Sequence, residues 1–255
     1  KLLTALFFLF PILAISQNQA NNWYFSPREG LDFNSGYPVI IDKSIDYMLN
    51  STCLSDTTGK LLFYTDGNTV WNTDLDTLQN GFGLFAGNNN QPAVIVPNPG
   101  NSNQYYIFTV GGEDLVIGLR NSIIDISLDN GKGAVTSKNI LVDEGVWARH
   151  RVAAVRHSNN RDFWIITRTK DNNNIQSWAV FLLTPTGLDP VPVISYAPNM
   201  TLFNIAIDGE IKVSQDRKKM ISLHSSNANH HGALDISSFN ASTGQIIHHF
   251  MISEY

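Results

Sequence analysis

Histidines, carboxylates and arginines are the side chains of this sequence able to bind a metal, move a proton or hold an anion. His224, His230, His231, His248 and His249 crowd the last part of the chain. A zinc site would draw three or four of them together with a carboxylate such as Asp235. Neighbouring histidines in a strand face opposite sides, so each adjacent pair offers one ligand at most. The loop SSNANHHGA is turn-forming, and no metal site is expected. Asp56, Asp66, Asp74 and Asp76 could include a glycosidase pair. Yet Asp56 opens the turn SDTTGK and Asp66 precedes Gly67, positions where Asp hydrogen-bonds its own backbone. Asp74 and Asp76 lack the Gly and Glu that complete a calcium loop. There is no Gly-x-Ser-x-Gly elbow and no glycine-rich phosphate loop. The lone Cys53 reads as a small buried hydrophobe. The remaining candidate is WARHRVAAVRH (147–157), which concentrates Trp147, Arg149, His150, Arg151, Arg156 and His157. A cationic, aromatic mouth of this kind could hold an anionic or carbohydrate ligand; the alternative is a solvated loop with aromatic packing.

These residues are carried on strands. Short β-branched and aromatic runs recur, among them LLFYT, AVIVP, YYIFTV, DFWIIT, WAVFLL and KMISLH, each bounded by Gly, Asn, Asp or Pro. They fall into four-stranded units whose first strands begin near Thr52, Ala93, Ala153 and Ile211, spacings of about 41, 60 and 58 residues. Four strands per 40–60 residues predicts an all-β β-propeller, because one four-stranded sheet cannot cover both its faces and blades around an axis cover one another. About four blades of a six- to eight-bladed ring are expected, with residues 22–34 as the outer strand that closes the last blade. Trp71, Trp164 and Trp178 should lie between blades.

Residues 1–16, KLLTALFFLFPILAIS, read as a signal peptide shortened at its N-terminus, leaving 17–255 as a propeller fragment. The apolar run is shorter than the ~20 residues of a span and contains Pro11, and no later segment approaches ~18 uninterrupted apolar residues, so no membrane span is expected after cleavage. The strand-like C-terminus suggests that the chain continues. Among 255 residues only 15% are charged, with 17 Lys and Arg against 22 Asp and Glu. That composition excludes disordered and coiled-coil classes. With no basic stripe, nucleic acid is not an expected partner.

NWYF-x4-GLDFNSGYPV (22–39), SDTTGKLLFYTDGNTVWN (55–72) and QPAVIVPNPGNSNQYYIFTV (91–110) resemble the N-terminal propeller region of large secreted Bacteroidota proteins that carry a type B sorting domain of the type IX secretion system, the gliding-motility-associated family. AAVRHSNNRDFWIITR (153–168) and IKVSQDRKKMI (211–221) follow in the same order. The family's Ser-Pro-Asp-Gly turn stands here as Ser214-Gln215-Asp216-Arg217, without its Pro and Gly. The resemblance implies a secreted or outer-surface location and a sorting domain downstream.

These readings lead to one expectation: a non-enzymatic surface module that binds a glycan or an extracellular protein, without a cofactor. The competing class is a carbohydrate-active enzyme, a glycosidase or lyase working in the propeller channel.

Overall fold

A computed structural model describes residues 18–25, 29–41, 50–87, 91–111, 118–142, 151–170, 175–197, 209–225 and 232–253. It is all-β: among the described residues the helical content is two short 3-10 turns. The N-terminal strands β1 (Asn22–Phe25), β2 (Glu29–Asp32) and β3 (Val39–Ile41) form a three-stranded antiparallel sheet. The stretch 22–34 is therefore a hairpin, β1 and β2, rather than one closing strand.

Four antiparallel units follow. Unit 1 holds β4 (Thr52–Ser55), β5 (Leu61–Thr65), β6 (Thr69–Asn72) and β7 (Thr77–Phe82). Unit 2 holds β8 (Ala93–Pro97), β9 (Gln104–Val110), β10 (Leu119–Asp125) and β11 (Ala134–Leu141). Unit 3 holds β12 (Val152–Arg156), β13 (Phe163–Lys170), β14 (Gln176–Thr184), the two-residue β15 (Gly187–Leu188) and β16 (Val193–Tyr196). Unit 4 holds β17 (Ile211–Val213), β18 (Lys219–Ser225), β19 (Gly232–Phe239) and β20 (Ile246–Ser253). A single parallel bridge, Ala134 beside Gln79, joins units 1 and 2 at their last strands. With β4 also against β8, these eight strands make a nearly closed, barrel-like sheet.

The central strands are buried on both faces, which is why they read as unbroken apolar runs. In β9, Tyr105 and Ile107 turn toward unit 1, whereas Tyr106, Phe108 and Val110 turn toward unit 3. In β14, Ala179, Phe181 and Leu183 meet unit 2, whereas Trp178 and Val180 meet unit 4. Unit 1 presents Tyr64 and Trp71 to β1, and Tyr24 stacks flat on Tyr64 at 4.8 Å. The order of packing is thus the N-terminal sheet, then units 1, 2, 3 and 4. Trp71, Trp164 and Trp178 are all buried in these layers. The first strands lie side by side, β4 against β8, β8 against β12 and β12 against β17.

Turn chemistry sets the hairpins. Asp56 Oδ1 accepts from the Thr58 and Lys60 amides, and Asp66 Oδ1 from the Asn68 and Thr69 amides, so both carboxylates are turn-formers. Arg217 takes φ +59°, a conformation glycine adopts more readily. Its side chain offsets the strain by reaching unit 3, donating to His157 O at 3.0 Å and Asn160 Oδ1 at 2.8 Å. No described helix is long and apolar enough to cross a membrane.

Candidate functional site

Where the first strands meet, segments of units 1, 2 and 4 enclose a cleft of about 190 Å3. Asn50, Ser51 and Thr52 enter β4, Thr65 and Asp66 open the β5–β6 turn, Gln91 to Val94 enter β8, and Glu210 and Lys212 flank the start of β17. The cleft is built from turns that the sequence specifies locally. Asp66 is held by its two backbone donors at 2.8 and 2.7 Å. Gly67 beside it has φ +88°, and a Cβ there would stand 2.5 Å from the Ala86 methyl, so this turn requires glycine. Thr65 Oγ donates to Thr69 O at 2.6 Å and accepts from the Gly67 amide.

Gln91 is the pin of the arrangement. Its Oε1 accepts from the Ile211 amide at 2.9 Å and its Nε2 donates to Ile211 O at 3.4 Å, tying unit 2 to unit 4. Its backbone carbonyl accepts from the Val152 amide at 3.1 Å, tying unit 2 to unit 3. Glu210 and Lys212 form a 3.2 Å ion pair whose side chains are 43% and 67% exposed. Pairs this open add little stability, so both charges remain available to a ligand.

A second, buried polar layer lies between units 3 and 4. Arg151 is fully buried and donates from Nη1 to Ser222 Oγ at 2.8 Å and to Leu223 O. Arg168, on the face of unit 3 that meets unit 4, donates to Gln176 Oε1 at 2.8 Å. Burial pushes its pKa down to about 10, against the opposing pull of Asp235. Asp235 Oδ1 accepts from Ser237 Oγ at 3.2 Å and meets His248 Nδ1 at 2.7 Å. His224 is pushed down to about 2, first by burial and then by the positive charges of Arg151 and Arg168. It is therefore a neutral ring among charges.

Of the residues singled out in WARHRVAAVRH, Trp147, Arg149 and His150 lie outside the described residues, as do His230 and His231. Arg151 and His157 bracket β12, about 20 Å apart by strand rise, so they do not share one mouth. Arg151 is an internal strut rather than a solvent-facing cation. His157 sits in the β12–β13 turn, its ring 5.4 Å from Trp164 and its Nδ1 accepting from the Asn159 amide. His248 and His249 point to opposite faces: one meets Asp235 and the other Ser238 Oγ. Sequence reasoning did not single out Gln91, Glu210, Lys212 or Arg168. A charged residue inside FWIITRTK was the one visible signal among them.

No family model and no curated protein matches this chain. Among solved structures, an exo-β-1,3-galactanase from Phanerochaete chrysosporium with bound β-1,3-galactotriose aligns at TM-score 0.37 and 14% identity. The alignment covers 73% of this chain and 41% of that one, so this chain spans less than half the length of that enzyme. A likeness this slight transfers neither fold nor activity.

Proposed function

We propose that the four units are blades of a β-propeller and that the chain is a non-enzymatic binding module of a secreted or cell-surface protein. The propeller reading is supported by face-to-face packing of the units in chain order and by their adjacent first strands. The far face of unit 4 carries Ile221, Leu223, Phe250 and Ile252, each more than a third exposed. A further blade covering that face fits the ring of six to eight blades. The signal-like segment 1–16 and the family resemblance support export through type IX secretion, with a sorting domain downstream.

The observation that carries the binding reading is the cleft itself, a concave site with polar walls and an apolar strip, Pro92 to Val94, where the first strands of three units converge. Glycan-array and pull-down screens of the exported protein test it. The expected result is a retained glycan or extracellular protein that is lost on reversing the Glu210 and Lys212 charges. No ligand, together with turnover of a polysaccharide, overturns it. One observation favours the enzymatic alternative: Asp66 and Glu210 are two carboxylates on one cleft. That reading predicts reducing-end release abolished by Glu210→Gln.

A further inference from the structure

The geometry points to a neutral saccharide ring as the occupant of the cleft, its adjacent hydroxyls held by Asp66 on one wall and the Glu210–Lys212 pair on the other. This rests on the binding-module reading and names the ligand class for it.

Size is the first constraint. At about 190 Å3 the cleft is smaller than the ~300–1,000 Å3 of sites for drug-sized molecules, which confines the occupant to one ring of a glycan. Chemistry is the second. A hydroxyl both donates and accepts, and this cleft offers both: carboxylate acceptors at Asp66 and Glu210 and an ammonium donor at Lys212. An anion would meet two carboxylates against a single ammonium. A cation would meet Lys212. An apolar ligand would strip water from Asp66 and Glu210 without replacing its hydrogen bonds. A sugar satisfies the polar walls and lays its C–H face on Pro92, Ala93 and Val94.

Preorganisation is the third constraint. The Asp66 Oδ1 atom is fixed by the Asn68 and Thr69 amides, while Oδ2 has no hydrogen-bond partner among the described residues. The carboxylate is thus aimed before any ligand arrives, which lowers the ordering cost of binding. The same turn that makes Asp66 look purely structural in the sequence leaves one of its oxygens for recognition.

The test is a titration of the whole chain, followed by NMR shifts or calorimetry, with neutral pyranoses (galactose, glucose, mannose, xylose), then glucuronate, then a diamine. Asp66→Asn keeps an oxygen for the two turn amides and replaces Oδ2 with a donor; Lys212→Met removes the ammonium. Asp189→Asn, in a turn outside the cleft, is the control. The expected result is binding of a neutral pyranose that falls about tenfold or more in each cleft variant, is unchanged in the control, and leaves the thermal midpoint within a few degrees. If Asp66→Asn lowers that midpoint further, Lys212→Met alone decides. Binding of glucuronate or the diamine in preference to every neutral sugar, or neutral-sugar binding that survives both substitutions, overturns the inference while leaving a binding module. Silence toward all three ligand classes overturns it too, and the array and pull-down screens then decide separately whether the module binds anything.

Discussion

Acid should loosen the contact between units 3 and 4 through His224. This histidine is 5% exposed and pressed beside Arg151 and Arg168, with Asp235 and His248 in the same layer. In the folded chain its pKa is pushed down to about 2, whereas an unfolded histidine titrates near 6.5. Above that unfolded value both states are neutral there and the full stability is present. As pH falls below about 6.5 the unfolded chain takes up a proton that the folded chain refuses, so stability falls by up to ~1.4 kcal/mol per pH unit. Between pH 6.5 and 4.5 the loss is about 2–3 kcal/mol, a large share of a typical 5–15 kcal/mol. Arg168, at about 10, keeps its charge throughout this window. Asp56, Asp125, Asp162 and Asp216 are held below the usual carboxylate range by turn and side-chain hydrogen bonds, so their contributions fade only at lower pH. Urea unfolding at pH 7, 6, 5 and 4.5 should show the wild-type unfolding free energy falling and that of His224→Gln falling by about 2 kcal/mol less. Parallel pH profiles for the two proteins would mean that His224 does not carry the acid sensitivity.

Three other outcomes are expected. Gln91→Ala should cost roughly 1–3 kcal/mol, because it strands the Ile211 amide and carbonyl; hydrogen exchange should quicken at Ile211 more than at Val152, whose partner is the Gln91 backbone. Cys53, pushed up to about 11 by burial and donating to Asn22 O, should resist alkylation at pH 8 until the chain is unfolded. Phe250 and Ile252, 52% and 54% exposed on the far face of unit 4, should drive self-association that Phe250→Lys relieves, read by sedimentation or size exclusion; an unchanged oligomeric state would mean that face is inert.

Much of the architecture was legible in residue order, because strand and turn signals are local. Asp56 and Asp66 read as turn-formers, and the structure shows each accepting amides two to four residues ahead. Thr52, Ala93 and Ile211 open β4, β8 and β17, and β12 opens at Val152, one residue before Ala153. The unbroken apolar runs at 105–110 and 178–183 announced sheets covered on both sides. In the stretch 22–34 the turn-forming run Ser26-Pro27-Arg28-Glu29 was the local signal that its two apolar ends form separate strands, and the pairing of Trp23 with Leu31 makes them a hairpin.

Residue order was enough for the all-β class and the turns, which depend on side chains within a few residues of one another, and for the four-unit repeat, which is the same local pattern recurring along the chain. Which distant polar residues meet was settled by the packing of the units. Arg151 and His157 are near in sequence but lie at opposite ends of an extended strand, because a strand carries each residue about 3.3 Å further from the last. Gln91 and Ile211 are 120 positions apart yet share two hydrogen bonds. Asp66, Glu210 and Lys212 come to one cleft because packing sheets on both faces brings the starts of distant units together, a consequence of burial that no local pattern encodes.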